Sequence, residues 1–240
     1  MNSIIPQIGF DRFIHLDWAA SALRVRAGLG HVDTLNELLD AAGLSVAAKK
    51  KIRTVLNRLW LEPRPALAEF ADRGAALLKA HPGTPVAALS WGMAIATYPF
   101  FGKVAELVGR LSALQGDCTS AEVHRRMSET YGEREGTYRM TNMVLQSQAN
   151  WGAIERVDKG KRLIRLPSMT LTNEQLVAWL IEAVLRYANK PVSVSALKAM
   201  PVLYPFVLDL PLAYNVSNSH ALELRSEGSN DQFVALRATY

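Results

Sequence analysis

TSAEVHRRMSETYGEREGTYRMTNMVLQSQANWGAIERVDKGKRLIRLP, residues 119–167, is the stretch on which the reading of this chain turns. It opens on Thr119-Ser120-Ala121-Glu122. Either hydroxyl can accept from an orphan backbone N–H at a helix start, and an acid in the first turn suits the helix dipole. Val123, Met127 and Tyr131 follow at four-residue intervals, one side of a helix that Gly132 is suited to end because it lacks a Cβ. Glu133-Arg134-Glu135-Gly136 reads as the turn, which with Gly132 makes a link longer than the three or four residues usual between paired DNA-reading helices. A second helix is expected from Thr137 to about Ala149, with Met140, Met143, Val144 and Ser147 inward and Trp151 and Ile154 packed beneath it.

The other side of that second helix carries Tyr138, Arg139, Asn142 and Gln146, with Thr137 at its start. Guanidinium and carboxamide groups offer paired hydrogen bonds to base edges in the major groove. Two short alternating segments, 153–157 and 162–166, then flank Asp158-Lys159-Gly160-Lys161 and read as a hairpin with a Gly-assisted turn. Arg156, Lys159, Lys161, Arg162 and Arg165 make it basic, which fits a phosphate backbone beside the groove. With a preceding helix at 102–114, this arrangement resembles the winged helix-turn-helix domains of the DNA-binding superfamily. The resemblance covers about a quarter of the chain and lies in the order of elements. It implies base contacts from Arg139, Asn142 and Gln146 and phosphate contacts from Arg125, Arg126, Arg134, Lys159, Lys161 and Arg162, with Thr137 and Tyr138 on the same surface.

Working outward, residues 119–167 hold nine Lys and Arg against six Asp and Glu, while 168–240 hold five against six. The excess positive charge of the chain, net +5, is therefore densest in the module with the reading helix. Such a balance favours polyanionic partners, nucleic acid first and an anionic membrane surface second. A single Cys118 allows no intramolecular disulfide and suits a reducing cytoplasm. Residues 1–10 are too short and too polar for a secretory signal. The uncharged segment 82–102 is long enough to span a bilayer, but Pro82, Pro85 and Pro99 make it a buried helix from about Pro85 to Thr97, so no membrane association is expected.

The first third reads as helices at 17–27, 33–42, 45–62 and 65–79, with Asp17 and Ser45 as caps. Lys49, Lys50, Lys51, Arg53 and Arg58 cluster on one of them, most simply as a solvated face. The last third repeats the central pattern: a helix from Thr172 to Ala188, a short one at 194–200, an irregular apolar stretch at 201–214, and two strands at 221–225 and 233–238 joined by an acidic, polar tip. The whole is expected to be mainly α: an N-terminal helical bundle (1–101), a winged helix-turn-helix (102–167) and a second, degenerate winged-helix-like module (168–240), each module closing on a small β-hairpin.

No phosphate loop, dinucleotide fingerprint, nucleophile elbow or HExxH appears, and His15, His31, His81, His124 and His220 are dispersed. Neither catalysis nor a metal or cofactor is expected. KKKIRTVLNRLW at 49–60 and the apolar run 89–101 leading into 104–114 resemble the A-type accessory proteins of bacteriophage-exclusion (BREX) systems, over roughly residues 30–115. That resemblance implies a small cytoplasmic DNA-binding accessory acting in antiviral defence. The expectation is thus a non-enzymatic protein that binds double-stranded DNA. The competing reading is a scaffold subunit docking onto a larger enzyme, and other subunits of the same system or a second copy of the chain are the further partner classes.

Overall fold

Five of the helix starts are set by side chains that accept from the first turn: His15, Ser45, Thr119, Asn173 and Ser193 each satisfy one of the N–H groups a helix leaves unpaired. The structure is a computed structural model describing residues 9–227 and 231–237. Residues 1–8, read above as lacking a signal, and the hairpin tip 228–230 with Ala238 lie outside the described residues.

The N-terminal helices are α1 (Leu16–Arg26), α2 (Val32–Ala41), α3 (Val46–Leu56), α4 (Pro65–Ala80) and α5 (Val86–Thr97), with a π-helical turn Asn57–Leu61 continuing α3. Next come α6 (Pro99–Leu111), β1 (Asp117–Thr119), α7 (Ser120–Tyr131), α8 (Glu135–Asn150), β2 (Ile154–Val157) and β3 (Arg162–Arg165). The last part comprises β4 (Met169–Leu171), α9 (Glu174–Ala188), β5 (Val192–Ser193), α10 (Val194–Leu197), β6 (Phe206–Leu208), α11 (Leu212–Ser217), β7 (Leu222–Glu227) and β8 (Asp231–Leu236). The protein is mainly α with small sheets. Two of these are three-stranded and antiparallel and share one plan: β1-β3-β2 and β5-β8-β7. In each, the short strand before the second helix pairs with the last strand of the hairpin. A third sheet joins β4 and β6 in parallel.

A single buried cluster runs through all three parts of the chain. Trp91 of α5 sits at its centre, edge-on to Phe101 of α6 (ring centroids 5.2 Å apart) and to Tyr204 (5.4 Å), and its indole N–H donates to Val202 O at 2.9 Å. Trp179 of α9 stacks on Phe70 of α4 at 4.3 Å and donates to the Phe70 carbonyl. The sequence pattern suggests one apolar stripe on α9, whereas the helix is buried on nearly all sides because α4, α5, α11 and β8 all pack around it. The uncharged α5 is buried almost throughout. Among the described residues no helix is long and apolar enough to cross a membrane.

Several local expectations need correction. Helix α1 is capped by His15, not Asp17. Pro99 opens α6, where its missing N–H costs nothing, so residue 102 falls inside a helix and not at a boundary. Part of the apolar stretch 201–214 is ordered as a 3-10 turn Pro201–Leu203 and β6, and α11 begins within it. Helix α8 begins at Glu135, so the link from α7 is only Gly132-Glu133-Arg134, within the usual length of a tight turn between helices.

Candidate nucleic-acid interface

Thr119 and Glu122 form a reciprocal capping box: the Thr119 hydroxyl accepts from Glu122 N (3.2 Å) and the Glu122 carboxylate accepts from Thr119 N (3.0 Å). The Thr119 hydroxyl, which also donates to the Glu122 carboxylate at 2.7 Å, and then the Thr119 N–H hold the exposed Glu122 carboxyl below its ordinary pKa. At the other end of α7, Gly132 takes φ 84°, ψ 150°, a combination all but reserved for glycine. The chain therefore leaves α7 abruptly and enters α8 three residues later.

The inward side of α8 is more polar than the sequence suggests. Thr137, Thr141, Val144, Leu145, Ser147 and Gln148 are buried, while Met140 and Met143 are only partly so. Thr137 is 1% exposed, so it belongs to the core and not to the surface proposed for it. Gln148 Oε1 accepts from the Tyr204 hydroxyl at 2.9 Å, which ties α8 to the last third of the chain. Outward lie Tyr138, 60% exposed, then Arg139, followed by the half-buried Asn142 and Gln146 one and two turns on. These four residues form one strip.

A second layer that sequence reasoning misses supports this strip. His124 of α7 stacks under Tyr138, with ring centroids 4.0 Å apart and planes at 21°. Burial, with the nearby Arg156 guanidinium, pushes the His124 pKa down to about 4, so the imidazole is neutral at pH 7. Arg156 of β2 donates from Nη2 to Asn142 Oδ1 at 2.6 Å, and burial draws its own pKa below the usual guanidinium range. Neither contact has a signal in sequence spacing, because both join separate elements.

In the β2–β3 turn, Asp158, Lys159 and Gly160 all have positive φ (51°, 57° and 82°). The tip is fastened to the start of α7, where Ser120 N donates to Lys161 O at 2.8 Å. Lys159 and Lys161 are exposed and have no side-chain partner among the described residues; the same holds for Arg139 on α8. The other cations expected to grip phosphate are engaged. Arg162 pairs with Asp117, Arg125 and Arg126 share Glu129, and Arg134 donates to Tyr131 O at 3.2 Å. Arg165 donates to Tyr204 O at 2.8 Å and lies over that ring. Exposed Glu133 and Glu135 flank the start of α8, and exposed Asp158 sits in the turn beside Lys159.

Away from this surface, a cleft of about 1040 Å³ is lined by α4, α9 and residues 215–221. Its most buried charge, Glu182, is held by Arg73 (2.7 Å) and Arg186 (2.8 Å), which fixes it as a structural ion pair. Among the described residues no three His, Cys, Asp or Glu side chains come together as a metal site. No family model, curated protein or solved structure matches the chain.

Proposed function

We propose that the chain binds double-stranded DNA, with α8 in the major groove and the β2–β3 turn on the adjacent backbone, and that residues 99–165 act as a winged helix-turn-helix. The observation that carries this reading is the strip Tyr138-Arg139-Asn142-Gln146 beside Lys159 and Lys161, with three cations, Arg139, Lys159 and Lys161, that form no ion pair among the described residues. A helix offers its side chains to base edges in a groove of about 12 Å. The lysines of the turn then supply sequence-independent attraction to phosphate. Arg139 and Gln146 have free hydrogen-bonding ends for base contact, whereas Arg125, Arg126, Arg134 and Arg162 must exchange internal partners to reach phosphate and contribute less. A role as an accessory of phage exclusion rests on the resemblance of residues 30–115.

A salt titration of binding to a random-sequence duplex tests the proposal. Counterion release should make log Kd rise linearly with log salt, with a slope near 2 for the phosphates that Lys159 and Lys161 neutralise. Affinity that is absent, or present and insensitive to salt, overturns it and favours the scaffold reading.

A further inference from the structure

Of the four residues on the α8 strip, Asn142 alone has its side chain hydrogen-bonded to another element among the described residues, Tyr138 being stacked on His124. Arg156 Nη2 reaches its Oδ1 at 2.6 Å. Arginine carries only donors, so it can engage only the oxygen of the carboxamide, and this fixes which way round the Asn142 side chain sits. The amide nitrogen has no partner among the described residues and, although Asn142 is half-buried, is not shut off from solvent. Asn142 therefore presents N–H donors to the outside and keeps its acceptor occupied. Gln146, one turn on, has neither end engaged.

Arg156 is itself confined. The turn folds over it at Gly160, where φ is +82° and a Cβ would sit 2.6 Å from Arg156 Nη2, so only glycine permits this approach. Its Nε is buried without a partner among the described residues, which leaves Asn142 as the hydrogen-bond acceptor of a partly buried guanidinium. Releasing Asn142 would leave a partly buried charge without its acceptor, an unfavourable exchange.

We infer that Arg156 is a positioning residue that sets base preference: by holding the Asn142 oxygen it leaves Asn142 only N–H donors, which guanine meets with two acceptors, O6 and N7, and adenine or thymine with one. An unrestrained asparagine pairs with adenine by donating to N7 while accepting from the N6 amino group, and that second bond is blocked here. The inference rests on the DNA-binding reading and names the bases that the same site selects.

Selection of duplexes from a randomised library by the full chain tests it, with Asn142→Ala locating the base position that residue 142 contacts. The wild type should favour guanine there over adenine by about tenfold, the discrimination of one good pair. Arg156→Ala should narrow that preference to below about threefold by admitting adenine, and Arg156→Lys, which keeps a donor, should restore much of it. Asn142→Asp keeps the partner of Arg156 but turns an acceptor outward, and should move the preference to cytosine or adenine, whose amino groups donate. This variant retains the Arg156 guanidinium and so guards against misfolding of Arg156→Ala. Adenine at the wild-type position, or a preference unmoved by Arg156→Ala and Asn142→Asp while DNA is still bound, overturns this inference alone. Failure of the wild type to retain any duplex overturns the DNA-binding reading and this inference with it.

Discussion

Gly109 of α6 lies directly against the carbonyl of Pro201, so closely that a methyl at residue 109 would overlap the Pro201 oxygen. The contact joins the central module to the last third of the chain, and backbone faces backbone there. Gly109→Ala should therefore cost about 1–3 kcal/mol despite the better helix propensity of alanine, since neither side can rotate away. Urea denaturation gives the value, and a variant as stable as the wild type would mean the two parts do not dock in this way.

Binding variants separate the two kinds of contact proposed for the central module. Arg139→Ala should weaken a selected site by about 1–3 kcal/mol and random DNA much less, as expected for a base contact. Lys161→Ala should weaken all sequences alike and lower the salt slope by about 1. Fluorescence anisotropy at several salt concentrations reads both, and equal retention of DNA by both variants would sink the assignment.

Thr137 gives a control inside the same helix. Its hydroxyl is buried and donates to nothing, so Thr137→Val removes a polar group without a donor role at nearly constant volume. Stability should hold or rise by about 1 kcal/mol, and DNA affinity should not change. A fall in affinity with stability intact would place Thr137 back on the surface.

His124 makes stability depend on pH. Its pKa is about 4 in the folded chain against 6.5 when free, so the unfolded state takes up the proton first as pH falls. The stabilisation is complete above about pH 6.5 and is lost as pH drops toward 4, up to about 3 kcal/mol in all. Thermal melts of His124→Phe, which keeps an aromatic under Tyr138, should lose this part of the acid sensitivity. Parallel pH profiles for variant and wild type would refute the assignment.

Cys118 is buried on β1, and burial with the neighbouring Glu122 and Asp117 raises its thiol pKa to about 12. Reactivity follows the thiolate. Iodoacetamide at pH 8 should leave the native chain unmodified and alkylate it fully in urea, as mass spectrometry would show; rapid native labelling contradicts the buried placement.

What the sequence made legible was local. The Thr119 cap, the Gly132 stop, the Ser45 cap and the Asp158-Lys159-Gly160-Lys161 turn each depend on a few consecutive residues, and all appear. The inward face of α8 was not legible, because Thr137, Thr141 and Gln148 are polar residues at core positions that apolar periodicity skips. β1 gave no sign of itself: its only apolar residue is Cys118, and it exists by pairing with β3. The same is true of the parallel β4–β6 pair. On the candidate surface, Tyr138, Arg139, Asn142 and Gln146 do share a face as their spacing requires. Which hairpin cations remain available could not be read, since Arg156, Arg162 and Arg165 are engaged by Asn142, Asp117 and Tyr204, residues 14, 45 and 39 positions away.

Because Phe101, Trp151 and Trp91 belong to one continuous interior, the central module has no private core to fall back on. A genetic screen for variants that no longer retain DNA should then recover lesions scattered through the amino-terminal helices as readily as along the surface that meets the duplex. Excising the module as a minimal reader would expose those rings to water and yield an aggregating fragment.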